Sequence, residues 1–213
     1  MAVDPDREGP PGRLRPLAIG LGLWLCVWVP VILWSYGPQN FLWLCNVAQF
    51  VLLVGLWRGD RLLISSQAGT VVLVGLVWTP DFLLGLATGG ELALMTAYMF
   101  NPDLPLLARV TSLYHIGLPV LVLVALRRCP YHRRGPWLQS ALAAGVLPLT
   151  WLVTDPQRNI NWLHAPAGLE VVWLSGPGLV LLALFLYPLL LFWPGHWLIT
   201  ALARTRLLRG GTH

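Results

Sequence analysis

Leu17-Ala-Ile-Gly-Leu-Gly-Leu-Trp-Leu-Cys-Val-Trp-Val-Pro-Val-Ile-Leu-Trp-Ser35 carries no charge over nineteen residues and follows directly on Arg13-Leu14-Arg15-Pro16. A stretch of that length and apolarity matches the ~20 residues needed to cross a hydrocarbon core about 30 Å thick. Five further runs follow, at 41–57, 62–78, 104–126, 137–153 and 179–202. The chain therefore reads as an all-α polytopic membrane protein of six transmembrane helices. Its domains would be a cytoplasmic segment 1–16, a membrane domain 17–203 and a cytoplasmic tail 204–213. Orientation comes from arginine. There is no lysine, and twelve of the fourteen arginines fall in alternate gaps. These are Arg7, Arg13 and Arg15; Arg58 and Arg61; Arg127, Arg128, Arg133 and Arg134; and Arg204, Arg206 and Arg209. The positive-inside bias then places both termini in the cytoplasm. The other side receives 35–40, a long outer loop 79–103, and 154–178, which hold Asp81, Glu91, Asp103, Asp155 and Glu170 with Arg158 alone against them. Arg109, inside the fourth run, is expected to snorkel to that outer interface.

Composition points the same way. Hydrophobic residues make up 56% and charged residues 11%, against about a quarter charged in a soluble domain, and the mean hydropathy is +0.67. A net charge of +5 would suggest nucleic acid in a soluble protein. Here the charge is juxtamembrane arginine facing anionic lipid, so membrane lipids are the expected partners and nucleic acid is not. The first apolar run is too long for a signal-peptide h-region and lacks a small-residue cleavage site, so it is read as a retained span. The lack of lysine fits a GC-rich coding sequence and, with it, a bacterial inner (plasma) membrane. Oligomeric state is not written in the chain.

Eight of the twelve tryptophans (Trp34, Trp43, Trp57, Trp78, Trp137, Trp162, Trp173 and Trp193) stand near predicted span ends, as an aromatic belt requires. Pro30, Pro119, Pro148 and Pro188 fall inside spans, where each frees a carbonyl that neighbouring helices must satisfy. Cys26, Cys45 and Cys129 are odd in number and have no metal-ligand spacing, so neither a disulfide nor zinc is expected. The histidines do not gather, and no phosphate-binding glycine loop occurs. No metal and no cofactor is expected.

What remains is polar content in or near the outer half of the bilayer, where each such group needs a reason. Cys45 and Gln49 are one helical turn apart at the start of the second run, with Asn46 beside them. Thr111, Ser112 and His115 share a face of the fourth. If Arg109 marks the interface, His115 lies roughly 9 Å below it, and Cys45 is about 6 Å below Phe41. Asp81 ends the third run, and Asn159, Asn161 and Trp162 lie in the last outer loop. The 79–103 segment holds two apolar pieces too short to span, so it is expected to lie along the interface or to roof a cavity.

Leu44-Cys45-Asn46-Val47-Ala48 resembles the leucine-cysteine-aspartate stretch of the YwaF-like integral membrane proteins, with Asn46 in place of the usual aspartate. Trp78-Thr79-Pro80-Asp81-Phe82 resembles their threonine-proline-aspartate turn, His115 their membrane histidine, and Asn159-Ile160-Asn161-Trp162 their asparagine-tyrosine segment. Order and approximate spacing correspond over most of the chain. That family is similar in turn to a transmembrane acyltransferase of eukaryotes and, more remotely, to the androgen-induced intramembrane hydrolases. The resemblance implies Cys45 as an acyl-accepting nucleophile and His115 as its base. A buried thiol is inert until a histidine within reach takes its proton. In that chemistry Asn46, Asn159 or Asn161 would donate to the developing oxyanion, Asp81 would orient the imidazole or hold a headgroup, and Gln49, Ser112 and Trp162 would complete the substrate site. The alternative is a non-catalytic lipid-binding or small-solute-handling bundle in which the same side chains line a pocket or hold the helices together.

Overall fold

The computed structural model describes residues 11–165 and 176–204. Arg7, Glu170, Trp173, Arg206 and Arg209 lie outside them. Among the described residues the fold is entirely helical. Six apolar helices run in chain order: α1 (Pro11–Tyr36), α2 (Leu44–Arg58), α3 (Arg61–Ala87), α4 (Leu106–Arg128), α5 (Gly135–Val153) and α6 (Gly176–Arg204). Five of them are long and apolar enough to cross a membrane, while α2, with 15 residues, is shorter.

Local chemistry explains the breaks. Between α2 and α3 the chain turns in two residues. Gly59 closes α2 in the left-handed region at φ 71°, and Asp60 caps α3 by accepting from the Leu62 and Leu63 amides at 2.9 and 3.0 Å, a pairing of C-terminal glycine with N-terminal aspartate that each helix end favours. α4 is interrupted at Ser112-Leu113, and α6 passes through a single π-helical turn at Pro188–Phe192, where the proline lacks the amide that would continue the ladder.

α3 differs from its expected length. Residues 79–87, read from the sequence as the beginning of the outer loop, continue the helix through Pro80. Proline costs one backbone bond and does not forbid continuation when the flanking residues, here Asp81-Phe82-Leu83-Leu84, pack on in helical geometry. The connecting segment after α3 folds back on that helix. Asp81 accepts from the Leu94 amide (2.9 Å) and from both the Thr96 amide and hydroxyl (2.7 Å each).

α3 is the central helix, packing against α2, α4, α5 and α6, while α1 covers α2 and α4. Its N-terminal half is made for close approach. A Cβ on Gly69 would stand 2.8 Å from the Gly195 carbonyl carbon of α6, and one on Gly195 would stand 2.5 Å from the Gly69 carbonyl carbon. Gly135 of α5 meets the Ser65 carbonyl at a distance that would leave a Cβ only 2.6 Å away. Small residues of this kind let helices approach in lipid, where dispersion and hydrogen bonds replace the hydrophobic drive. Between these contacts lies a buried amide pair. Gln67 Nε2 donates to Gln139 Oε1 at 2.6 Å and to Ser66 Oγ at 2.9 Å.

The tryptophans differ in burial. Trp34, Trp57, Trp137 and Trp197 are exposed, Trp34 at 91%, as membrane anchors should be. Trp78 is 3% exposed and Trp28 fully buried. Trp78, expected in the belt, is instead a packing residue inside the bundle.

Candidate active site

The described cavity lies between α2, α3 and α4 and is lined by Cys45 and Ala48, by Thr70, Val71 and Val74, and by Tyr114, His115, Leu118 and Pro119. Its volume is about 20 Å³, enough for one water-sized group. Cys45 and His115 therefore both line this space, as does Thr70 of α3. Close packing brings α4 in. A Cβ on Gly75 would stand 2.8 Å from the His115 carbonyl oxygen.

His115 is held on three sides. Its ring stacks on Trp78 (centroids 5.0 Å, planes 11° apart) and on Tyr114 (4.1 Å, 27°). Its Nδ1 lies 2.9 Å from the Ser112 carbonyl oxygen. A carbonyl only accepts, so Nδ1 carries the proton and Nε2 keeps the lone pair. That is the tautomer a general base needs. The aromatic stack continues outward through Phe82 (5.1 Å from Trp78) to Phe100 (6.0 Å).

Cys45 sits at the second residue of α2, half-buried, with Sγ 3.9 Å from Asn46 Oδ1 and in reach of the Tyr114 hydroxyl. The Tyr114 hydroxyl donates to Asn46 Oδ1 at 2.7 Å, and Asn46 Nδ2 donates to the Asn40 carbonyl at 2.7 Å. Asn161 reaches across from the α5–α6 loop: its Oδ1 accepts from the Leu44 amide (3.0 Å), and its Nδ2 donates to the Leu42 carbonyl (2.8 Å). These bonds have one cause. Trp43, the residue before α2, offers no side-chain cap, and non-helical backbone near a membrane must be satisfied by protein. The loop that supplies Asn161 is strained. Asn159, Asn161 and Trp162 hold φ of 46°, 56° and 57°, a region that suits asparagine and costs a bulky tryptophan more.

The structure thus brings together some of the expected site residues and separates others. Cys45 and His115 meet at the cavity, and Asn46 and Ser112 adjoin it through Tyr114 and His115. Gln49 is fully buried but turned to α1, accepting from Trp24 Nε1 at 2.9 Å. Asp81 holds the outer segment. Asn159 closes its own loop, accepting from the His164 and Ala165 amides and donating to the Ala165 carbonyl. Trp162 packs edge-on against Trp43 at 6.2 Å. Arg109 does not reach free solvent with its whole guanidinium; Nη1 donates to the Met99 carbonyl at 2.9 Å, tying the outer segment to α4. Beside it the Tyr98 hydroxyl meets Ser112 and Trp78, and burial pushes it up to about 12.

No family model, curated protein or solved structure matches this chain. The site must be read from its own geometry. Sequence reasoning passed over Thr70 and Tyr114 at the cavity, and the Gln67–Gln139 pair elsewhere on α3 and α5. The signal was present. Ser65, Ser66, Gln67 and Thr70 stand inside the third apolar run, and an intramembrane polar residue is costly wherever it falls.

Proposed function

We propose that this protein is an intramembrane acyltransferase or lipid-ester hydrolase of YwaF-like kind, with Cys45 as nucleophile and His115 as base. The observation that carries the reading is the shared cavity, lined both by Cys45 and by a histidine whose protonated nitrogen is already engaged. In the reaction the Cys45 proton passes to His115 Nε2 as sulfur attacks the acyl carbonyl. The ester C–O bond then breaks, and the leaving alcohol takes the proton from the imidazolium. The resulting thioester is released by water or by an acceptor hydroxyl or amine, with His115 again taking the proton. The proposal includes six spans with both termini on the cytoplasmic side of a bacterial inner membrane, α2 being the shortest span. A reporter fused after His213 that proves to face outward would refute that topology.

Purified variants turning over a fluorescent phospholipid or fatty-acid ester test the chemistry. Cys45→Ala and His115→Ala should each lose at least ~100-fold, and the double variant should be no slower, because either loss already removes the activated thiolate. Cys26→Ala and Cys129→Ala serve as controls. Unchanged turnover in Cys45→Ala excludes the covalent route.

One observation favours the non-catalytic reading. Asn46, Asn159 and Asn161 each hold a backbone carbonyl through Nδ2, so all three already serve to satisfy loop and helix-end backbone. Loss of turnover that merely follows loss of melting temperature would establish that reading.

A further inference from the structure

Arg109 and Arg158 stand at the opposite end of the bundle from Arg13 and Arg128, which meet at 2.8 Å. Neither forms an ion pair among the described residues. Two carboxylates of the same end are occupied with backbone instead, Asp81 with the Leu94 and Thr96 amides and Asp155 with the Gln157 amide. Arg109 gives Nη1 to the Met99 carbonyl at 2.9 Å, while its Nε is buried without a hydrogen-bond partner. Arg158 is exposed. Both arginines approach one corner of the chain, Tyr36-Gly37, where α1 ends and Gly37 turns at φ 71°. The Arg109 charge acts on the Tyr36 hydroxyl, and a Cβ on Gly37 would stand 3.9 Å from Arg158 Nη1.

We propose that this corner is a phosphate site for a membrane phospholipid, held by Arg109 and Arg158. A guanidinium without a counter-charge is costly at the edge of a bilayer, and its planar fork of donors fits phosphate oxygens. The lipid is indicated by what surrounds the charge. Leu106, Leu107 and Val110 beside Arg109 are exposed, so acyl chains have an apolar surface to follow directly below the cation. The corner also leads to the candidate site, because the 3-10 turn Pro38–Leu42 carries the chain from Gly37 to α2, whose second residue is Cys45. A phospholipid held here by its phosphate presents its ester groups beside the start of α2. That last step rests on the acyl-transfer reading and names its substrate class, a phospholipid rather than a neutral ester.

The test is made on Cys45→Ala protein purified in a neutral detergent, where no turnover is needed. Arginines are labelled with phenylglyoxal and mapped by mass spectrometry, with phosphatidylglycerol, diacylglycerol of the same chains, or inorganic phosphate present. Phosphatidylglycerol should protect Arg158, and the other two should not at the same concentration. Adding Arg109→Gln should raise the lipid concentration for half-protection of Arg158 about tenfold, as loss of a charged hydrogen-bond donor does. Protection of Arg58, at the other end of the bundle, should stay unchanged in that variant. If Arg109→Gln melts lower because the Met99 contact is lost, Arg158→Gln decides. It should melt with its parent and weaken protection of Arg109 about threefold, the scale of an exposed ion pair. Equal labelling of Arg158 with and without phosphatidylglycerol overturns the inference, as does a midpoint that neither variant moves. Protection by inorganic phosphate alone would make a free ion the ligand and overturns the lipid assignment. Failure of the nucleophile is read separately, since full turnover in Cys45→Ala removes that residue from the chemistry and leaves the protection of Arg158 as it was.

Discussion

Two adjoining stretches of α3, residues 65–69 and 70–75, use their small and polar residues differently. In the first, Ser65 Oγ accepts from the His132 amide at 2.8 Å, Gln67 bonds Gln139, and Gly69 and Gly195 bring two backbones into contact. Gln67 Oε1 is left unpaired there, and Gln67 does not line the described cavity. In the second, Thr70 Oγ1 is likewise buried and unpaired, and Thr70 and Val71 help to line the cavity that Cys45 and His115 also line. The contrast separates two conditions that are easily confused. An unsatisfied polar group marks a site only where there is room for a ligand to satisfy it.

If the 65–69 stretch is a lock, the glycines packed at it should tolerate least. Gly195→Ala places a methyl 2.5 Å from the Gly69 carbonyl carbon, with backbone on both sides and no flexible atom to yield. A loss of about 3 kcal/mol is expected, the upper range for overpacking, measured by thermal unfolding in detergent. A variant that melts with wild type would mean that the two helices are not locked there. Asn161→Ala should come next, at about 2 kcal/mol, because it strands the Leu44 amide and the Leu42 carbonyl at the start of α2. Its effect should reach beyond stability by loosening Cys45, so thiol labelling should quicken in it while Cys26 labelling stays unchanged. Smallest is the amide pair. Gln139→Leu should cost about 1 kcal/mol, whereas Gln67→Leu with Gln139→Leu should return close to wild type, because removing both partners leaves nothing unpaired. A double variant weaker than either single one would show that the pair has further partners.

Most of the helices could be read from hydropathy. The six apolar runs lie on the six helices, and the Gly59-Asp60 turn is legible from its two residue types alone. Length was less so. Pro80 looks like a stop in Trp78-Thr79-Pro80-Asp81, yet α3 runs on to Ala87, since a helix ends where packing and capping end it and proline removes only one bond. In the site, Cys45 and His115 were named from their motifs, while the depth count from Phe41 and Arg109 does not hold, because α2 begins only at Leu44 and α4 is interrupted at Ser112-Leu113. The capping bonds of the asparagines could not be foreseen, because nothing in their spacing reveals that α2 begins without its own cap and must borrow one from Asn161, more than a hundred residues away. Thr70 could not be singled out, because whether a helical threonine bonds its own backbone depends on a rotamer.

The helices also differ in reach. α3, with 27 residues, extends about 40 Å, and α2, with 15, about 22 Å. Phe50, Val54 and Trp57 of α2 are exposed, so the short helix keeps an apolar side open to its surroundings. On the proposed six-span arrangement, a bilayer meeting both helices would thin beside α2 while α3 tilts, at a fraction of a kcal/mol per Å of mismatch. The annulus of lipid would then be uneven in thickness, and lengthening the acyl chains of a reconstituting bilayer would strain it first on the α2 flank, the flank that carries Cys45.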